Sequence, residues 1–195
     1  MSFVRLLLVL LGCLSVFCIS LVILVYLFRQ PFGYAFSADV NRLQTDIWQY
    51  LLADGGQLLI SHPDLGVNEE RHLLDVKRLL RWLFSFTVFI SCSFVTCLGL
   101  PWIKVSWCYI AKGIAVSGLV VTGILLFFVG LVGFNNSFLY FHRLLFVQDT
   151  WWFLHNSGLI QAFPISYFQQ FGGLYCLVLI SVFSMFYYTL SWFRR

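Results

Sequence analysis

Two histidines of this chain stand in residue patterns that could carry acid–base chemistry. His72 precedes Asp75 by three residues, so on a helix the imidazole and the carboxylate would share a face. A carboxylate in that position favours the charged imidazole and can fix the orientation of the ring. His142 and Arg143 lie in an otherwise apolar, aromatic segment, where burying either group without a partner costs free energy. Each pair is a candidate site, and each could equally be an ordinary solvated feature at a membrane boundary.

The composition indicates the environment in which these side chains must be held. Of the 195 residues, 61% are apolar and 10% are charged, against about 45–50% and about 25% in soluble domains. The mean hydropathy is +0.88, so the chain is expected to use the lipid bilayer as its solvent. The net charge of +4 is too weak for the dense basic face of a nucleic-acid-binding protein. We therefore expect a membrane protein with no nucleic-acid partner.

Four apolar stretches are long enough to cross a bilayer, which takes about 20 residues per helix. The expected spans are about 4–28, 82–100, 110–134 and 171–193. The first stretch could also be a signal peptide, but it is longer than the roughly 7–15 residues of a signal core and is interpreted as a retained span. The remaining segments, 29–81 and 135–170, become two loops of a single membrane domain covering residues 1–195.

Short helices are expected inside the loops. Ser37 is a suitable N-cap for a helix over 37–53, in which apolar residues recur at helical spacing. Asn68 is the expected N-cap of a second helix that runs directly into the second span. The predicted fold class is an all-α membrane protein with four transmembrane helices and two extracytoplasmic loops that contain short interfacial helices.

The distribution of lysine and arginine predicts the orientation of the chain. The positive-inside rule places both termini in the cytoplasm, together with Arg5, Lys104, Lys112, Arg194 and Arg195. Both larger loops, and with them every histidine and every acidic residue, then face the outside of the cell. Lys77, Arg78 and Arg81 depart from this rule, because they flank the second span on its outer side.

Several kinds of chemistry lack their characteristic motifs. The chain has no G-x-S-x-G elbow, no H-E-x-x-H helix and no glycine-rich phosphate loop, which argues against these hydrolases and against ATP use. The expected spans contain no Asp or Glu, which argues against an ion-coupled transporter. The six cysteines form no C-x-x-C pair and are interpreted as small apolar helix residues.

The two histidine patterns, taken together, resemble those of lipoprotein intramolecular transacylases, which are small four-span membrane proteins of Gram-positive bacteria. The first motif is Glu69-x-x-His72-x-x-Asp75-Val76-Lys77 and the second is Phe141-His142-x-x-x-Phe146-x-x-Asp149-x-Trp151. Tyr50-Leu51 and Phe163-Pro164 also resemble the family pattern. Two positions depart from it: Leu154-His155-Asn156 stands in place of an Asp-Pro turn, and Ile165 in place of a glutamate.

The resemblance implies that the chain moves an acyl group within one lipoprotein molecule. The sn-2 acyl chain of the diacylglyceryl-cysteine would pass to the α-amino group of that cysteine and give a lyso-form lipoprotein. The substrate's amine is the nucleophile, so no Ser or Cys nucleophile is needed. On this reading His72 and His142 carry the acid–base work in an order left open, and Asp75 orients His72.

The remaining expected site residues surround the substrate, which is a diacylated lipoprotein within membrane lipid. They are Arg143, Asp149, Trp151, Tyr50, Phe141, Phe146 and Phe163. Arg143 would stabilise the oxyanion or hold a polar head group, and the aromatic residues would house acyl chains. No cofactor and no metal are expected, and the sequence leaves the oligomeric state open.

Three other interpretations remain open at the level of sequence. The histidines could ligate a metal or haem, although bis-histidine haem usually draws its ligands from within the spans. The chain could be a non-catalytic assembly module, which would need neither histidine. It could also act on phospholipids without using a peptide amine.

Overall fold

The computed structural model describes residues 3–29, 37–53, 64–99, 107–146 and 151–192. Within these ranges the chain forms seven helices and no strand. The helices are α1 (Phe3–Phe28), α2 (Ala38–Leu52), α3 (Val67–Gly99), α4 (Trp107–Val132), α5 (Phe134–Leu145), α6 (Gly158–Ala162) and α7 (Ile165–Trp192). The all-α class predicted from the sequence is confirmed.

Four of these helices, α1, α3, α4 and α7, are long and apolar enough to cross a membrane. Helix α3 has 33 residues, which at about 1.5 Å per residue exceeds the roughly 30 Å of the hydrocarbon core. Its charged residues all precede Trp82, and none follows. The first part of α3, residues 67–81, is therefore expected to lie outside the hydrocarbon. The four-span architecture is confirmed, while the expected limits of each span remain predictions.

The chain divides into two compact units. The transmembrane unit comprises Met1–Leu24, Leu83–Leu131 and Gly172–Arg195, and the loop unit comprises Val25–Trp82 and Val132–Phe171. Both histidine motifs belong to the loop unit.

Close helix packing forms the interior of the transmembrane unit. Its buried core is Leu8, Val9, Cys13, Ile110, Ile114, Leu179 and Phe183. Gly118 of α4 leaves room for the ring of Phe183, since a Cβ at this position would collide with that ring. The hydroxyl of Tyr175 donates to the backbone oxygen of Phe17 at 2.9 Å, so a polar atom on α7 finds its partner on α1.

In the loop unit, α2 turns an apolar face inward. Leu43, Ile47 and Tyr50 recur at helical spacing and are buried. On the same helix, Gln44 Nε2 donates to the backbone oxygen of Ala162 at 3.1 Å, which ties α2 to α6. The helix begins as predicted, because the Ser37 side chain accepts a hydrogen bond from the backbone nitrogen of Val40.

Helix α3 begins two residues earlier than the sequence indicated. Asn68 was expected to be the N-cap, and this prediction is wrong, since Val67 is already helical. The backbone nitrogen of Gly66 donates to Glu69 Oε2 at 2.6 Å. Glu69 lies three residues after Gly66, and its side chain accepts a hydrogen bond from the backbone at the start of the helix, as the glutamate of a capping box does. The prediction that α3 continues unbroken from the loop into the second span is confirmed.

A glycine separates α4 from α5 close to residue 134, the expected end of the third span. Gly133 has φ +82°, a left-handed conformation that costs glycine little and other residues more. Helix α5 starts at Phe134 as a separate helix, with His142 and Arg143 in its last turn. Helix α7 starts directly after Pro164, a residue that readily precedes or opens a helix.

Candidate active site

The structure brings His72 of α3 and His142 of α5 together within the loop unit. Their ring centroids are 6.0 Å apart and the ring planes differ by 29°, a stacked arrangement. The two motifs are far apart in the sequence, so this contact depends on how the loop unit folds. The pair is the one place in the described part of the chain where two histidine rings meet.

His142 is oriented by the backbone of its own helix. Its Nδ1 lies 2.9 Å from the backbone oxygen of Phe138, four residues earlier. A carbonyl oxygen only accepts, so Nδ1 carries the hydrogen, and the neutral ring has its lone pair at Nε2. Burial lowers the pKa of His142, and the bond to Phe138 offsets part of this effect. The result is a neutral imidazole with a defined basic nitrogen.

His72 is more deeply buried, with 7% of its surface exposed. The pKa of His72 is lowered to about 4, chiefly by burial and then by the nearby His142, while the Asp75 charge acts in the opposite direction. His72 is therefore neutral at pH 7. Its Nδ1 is buried and has no hydrogen-bond partner among the described residues. A buried polar atom left unpaired costs about 1–3 kcal/mol, which a substrate atom could recover.

Aromatic rings enclose the two imidazoles. Phe146 contacts both, with its centroid 4.7 Å from His72 and 5.5 Å from His142. Trp151 and Phe141 lie 5.4 Å and 5.8 Å from His142. These three neighbours were among the expected site residues.

The sequence did not single out two further ring neighbours. Phe138 lies 4.1 Å from His142, and Phe153 lies 5.6 Å from His72. The signal for Phe138 was its place four residues before the histidine on one helix face. Phe153 has no such local relation to His72, and nothing in the sequence marks it out.

Asp75 lies on the same helix as His72, but its hydrogen bond goes elsewhere. Its Oδ1 accepts from Arg78 Nη1 at 3.2 Å in an exposed pair. Because His72 Nδ1 is unpartnered, Asp75 influences that ring through its charge and not through a hydrogen bond to Nδ1. Arg143 is exposed at the end of α5, and Asp149 lies outside the described residues.

Tyr50 and Phe163 lie in a neighbouring part of the loop unit. Tyr50 is buried on α2, and the Lys77 Nζ stands 4.1 Å from its ring centroid. Phe163 packs on Trp48 and Tyr167, with centroids 6.0 Å and 5.4 Å away. Neither ring is among the aromatic neighbours of the two imidazoles in the described part of the chain.

The paired imidazoles have no set of partners suited to a metal ion. Among the described residues, no group of three or more His, Cys, Asp or Glu side chains is arranged to hold one. The arrangement supplies a basic nitrogen, a second neutral imidazole and a water-poor aromatic enclosure, which together suit proton transfer.

The four candidate spans and the stacked imidazoles define an integral membrane protein with a candidate acid–base site. Within that class, the family model for the lipoprotein intramolecular transacylase Lit matches residues 6–168. This match covers most of the chain, so the chain belongs to the lipoprotein intramolecular transacylase family and is an acyltransferase.

Solved structures with the same fold come from Bacillus cereus. An in meso structure of its membrane-integral lipoprotein intramolecular transacylase Lit has a TM-score of 0.71 and 21% identity, covering 97% of this chain and 93% of the other. A histidine-to-alanine variant of that protein has a TM-score of 0.75 and 19% identity, covering 97% and 91%. No curated protein sequence matches the chain. At these identities the structures establish the fold alone.

Proposed function

We propose that this protein transfers the sn-2 acyl chain of a diacylglyceryl-cysteine to the α-amino group of the same cysteine, giving a lyso-form lipoprotein. The observation that carries the proposal is the pair of neutral imidazoles, one of which has its lone pair fixed at Nε2. Family membership supplies the reaction class. The geometry supports the roles given below.

The reaction begins with the substrate's own amine. An α-amino group has a pKa of about 7.7–8.0, so only its neutral fraction can attack. The amine nitrogen adds to the sn-2 ester carbonyl carbon and forms a tetrahedral intermediate with a positive nitrogen and a negative oxygen. Amine and ester belong to one molecule, and well-oriented intramolecular reactions reach effective molarities of about 10⁵–10⁸ M.

His142 is proposed as the proton carrier. Its Nε2 removes a proton from the nitrogen of the intermediate and becomes an imidazolium. The bond between the carbonyl carbon and the sn-2 oxygen then breaks, and the same proton passes to the departing oxygen. The N–H bond lost from the amine is balanced by the O–H bond of the lyso product, and His142 returns to its neutral state.

His72 is proposed as the stabiliser of the negative oxygen. Its pKa of about 4 makes it a poor proton carrier at pH 7, yet a neutral imidazole still has one N–H to donate. A donor already fixed in a water-poor enclosure costs no reorganisation when negative charge develops. Asp75 lies on the same helix and is proposed to act on His72 through its charge.

The surrounding residues are proposed to bind the lipid part of the substrate. Phe141, Phe146 and Trp151 touch the imidazoles, so they would contact the glycerol and the start of the acyl chains. The other proposed contacts are Arg143, Asp149, Tyr50 and Phe163.

We further propose that the site faces the outside of the cell, with both termini in the cytoplasm and the whole chain forming one membrane domain. The support is the lysine and arginine asymmetry, together with a substrate that carries its lipid-modified cysteine on the outer membrane surface. The chemistry needs neither cofactor nor metal.

The direct test is co-expression with a diacylated reporter lipoprotein in a host that lacks N-acylating activity. Intramolecular transfer leaves the total mass unchanged, so tandem mass spectrometry of the N-terminal lipopeptide must locate each chain. The expected product has one acyl group on the amine and one on the glycerol. Two acyl groups on the glycerol and a free amine, despite confirmed expression, would overturn the proposal.

Two variants separate the proposed roles. His142→Ala removes the proton carrier and is expected to lower the transfer rate by roughly 10²–10⁴-fold. His72→Ala removes one oxyanion donor and is expected to lower kcat by about 10²–10³-fold. Asn135→Ala changes an exposed residue on the same helix as His142 and should retain the wild-type rate. Normal product from the double histidine variant would show that neither imidazole is needed for the transfer and would overturn both proposed roles.

A further inference from the structure

An open cleft lies beside the histidine pair within the loop unit and has no role in the chemistry described above. Its volume is about 520 Å³, inside the range of about 300–1,000 Å³ found for ligand pockets. The polar residues that line it are Asp64, Asn68, Glu69, Asn156 and Ser157.

The cleft and the histidine pair share a wall. Phe153 lines the cleft, and its ring centroid is 5.6 Å from that of His72. Glu69, which also lines the cleft, precedes His72 by about one turn of α3. An extended chain advances about 3.3–3.6 Å per residue, so a peptide anchored by its reacting cysteine at His72 would enter the cleft within about two residues.

The shape of the cleft is fixed by buried contacts. Glu69 is 6% exposed, and its two carboxylate oxygens accept from separate backbone nitrogens. Oε2 accepts from Gly66 at 2.6 Å, and Oε1 accepts from Leu159 at 2.9 Å. Gly158 leaves space where a Cβ would collide with the backbone oxygen of Asp64. The two sides of the cleft are thus joined from α3 to α6.

The chemistry of the lining matches a polypeptide better than a lipid head group. Every non-proline residue of an extended peptide presents one N–H and one C=O, which amide, hydroxyl and carboxylate groups can pair. The carboxylates of Asp64 and Glu69 would repel a phosphate. Trp152 and Phe153 add apolar surface for side chains.

We propose that this cleft binds the polypeptide segment directly after the lipid-modified cysteine of the substrate. The proposal rests on the transacylase function proposed above and adds a binding site for the protein part of the substrate. The histidine pair holds the reacting atoms, and the cleft holds the chain that leads away from them. Binding energy from this remote segment would help to orient the reacting centre.

The test compares two synthetic substrates with purified enzyme. One is a diacylglyceryl-cysteine lipopeptide with several residues after the cysteine, and the other is diacylglyceryl-cysteine methylamide, which lacks them. The wild-type enzyme should convert the lipopeptide with a kcat/KM roughly tenfold higher or more. Equal values for the two substrates would overturn the inference, while conversion of neither would overturn the proposed function itself.

Cleft-filling variants assign the difference to this surface. Asn68→Trp and Asn156→Trp place an indole in the cleft and should remove most of the advantage of the lipopeptide, leaving the methylamide rate unchanged. Gln49→Trp, on an exposed part of α2 outside the cleft, is the matched control and should behave as wild type. Retention of the full advantage in both cleft variants would place the peptide elsewhere.

Photocrosslinking covers the case in which the tryptophan variants fold poorly. A photoreactive residue at the second position after the cysteine should crosslink to residues 152–158 or 64–69 of the wild-type enzyme, located by mass spectrometry. Crosslinks confined to other segments would overturn the inference.

Discussion

The two imidazoles of the site differ in how their nitrogens are held. The Nδ1 of His142 donates its hydrogen bond to the backbone oxygen of Phe138, which leaves Nε2 as the basic atom. His72 has an unpartnered Nδ1 and a pKa of about 4, so its surroundings disfavour the imidazolium strongly. Two chemically identical side chains are thereby given different proposed tasks by burial and by one hydrogen bond.

This difference leads to a prediction for the pH dependence of the reaction. Both imidazole pKa values lie below 6.5, so both rings are neutral at neutral and alkaline pH. The substrate amine, with a pKa of about 7.7–8.0, is the group that still titrates there. We expect kcat/KM to rise from pH 6 to about pH 8 and then level off, as measured by initial rates on a lipopeptide substrate.

The group responsible for this rise in kcat/KM can be identified with a substrate analogue whose nucleophilic nitrogen is less basic, such as a hydrazine. The rise in kcat/KM should then occur at lower pH, because the group that titrates is the nitrogen of the substrate. If kcat/KM rises over the same pH range for both substrates, the titrating group belongs to the enzyme, and the proposal that both imidazoles are neutral would be contradicted.

At the scale of elements, local sequence signals located most helices but not all of their ends. Ser37 was identified as an N-cap because its side chain reaches a nearby backbone nitrogen, an interaction that depends only on neighbouring residues. Asn68 was wrongly predicted as an N-cap because the side chain that caps the start of α3 is Glu69. The carboxylate of Glu69 also accepts a hydrogen bond from Leu159, in a distant part of the chain. A local rule cannot register a partner supplied by tertiary folding.

The same distinction applies to the site. The motifs around His72 and His142 were recognisable as two separate patterns, and the family resemblance indicated that they act together. Their stacking, and the contact of Phe153 with His72, arise from the fold of the loop unit and have no counterpart in residue spacing. Asp75 pairs with Arg78, and the spacing of residues along the chain did not decide between this partner and the others nearby.

Glu69 provides an element-scale prediction, because it joins the start of α3 to the start of α6. Glu69→Ala leaves the buried nitrogen of Leu159 without its acceptor and should lower the free energy of unfolding by about 1–3 kcal/mol. Glu69→Gln keeps one acceptor oxygen and should lower the free energy of unfolding by a smaller amount. The measurement is thermal unfolding in detergent, with Asp39→Ala, an exposed carboxylate on α2, as control. Equal stability of Glu69→Ala and wild type would contradict the joining role.

Helix packing in the transmembrane unit gives a second element-scale prediction. Gly118→Ala puts a methyl group against the ring of Phe183 and should destabilise the protein by about 1–3 kcal/mol through overpacking. Gly123→Ala, on the same helix, meets no atom within 4 Å and is the matched control. Thermal midpoints measured in the same detergent should fall for the first variant only. Alanine favours a helix more than glycine does, so a fall of equal size in both variants would contradict the role given to the contact with Phe183.

At the scale of the whole molecule, charge is distributed unevenly along the chain. All eight acidic residues lie in the segments 29–81 and 135–170, as do the four histidines. Lys104 lies between the second and third spans and Lys112 lies near the start of the third, and residues 101–112 include no acidic residue. This asymmetry is the support for the proposed orientation of the spans.

The proposed orientation can be tested by cysteine labelling in intact cells, starting from a variant in which all six native cysteines are replaced and activity is retained. His155→Cys introduces a thiol at an exposed position of the loop unit, outside the cleft, and Phe3→Cys introduces one at the exposed start of α1. A membrane-impermeant maleimide should label His155→Cys directly and Phe3→Cys only after the membrane is permeabilised. Because a lipoprotein presents its modified cysteine at the outer surface, the opposite pattern would separate the histidine pair from its substrate and contradict the proposed function as well as the orientation.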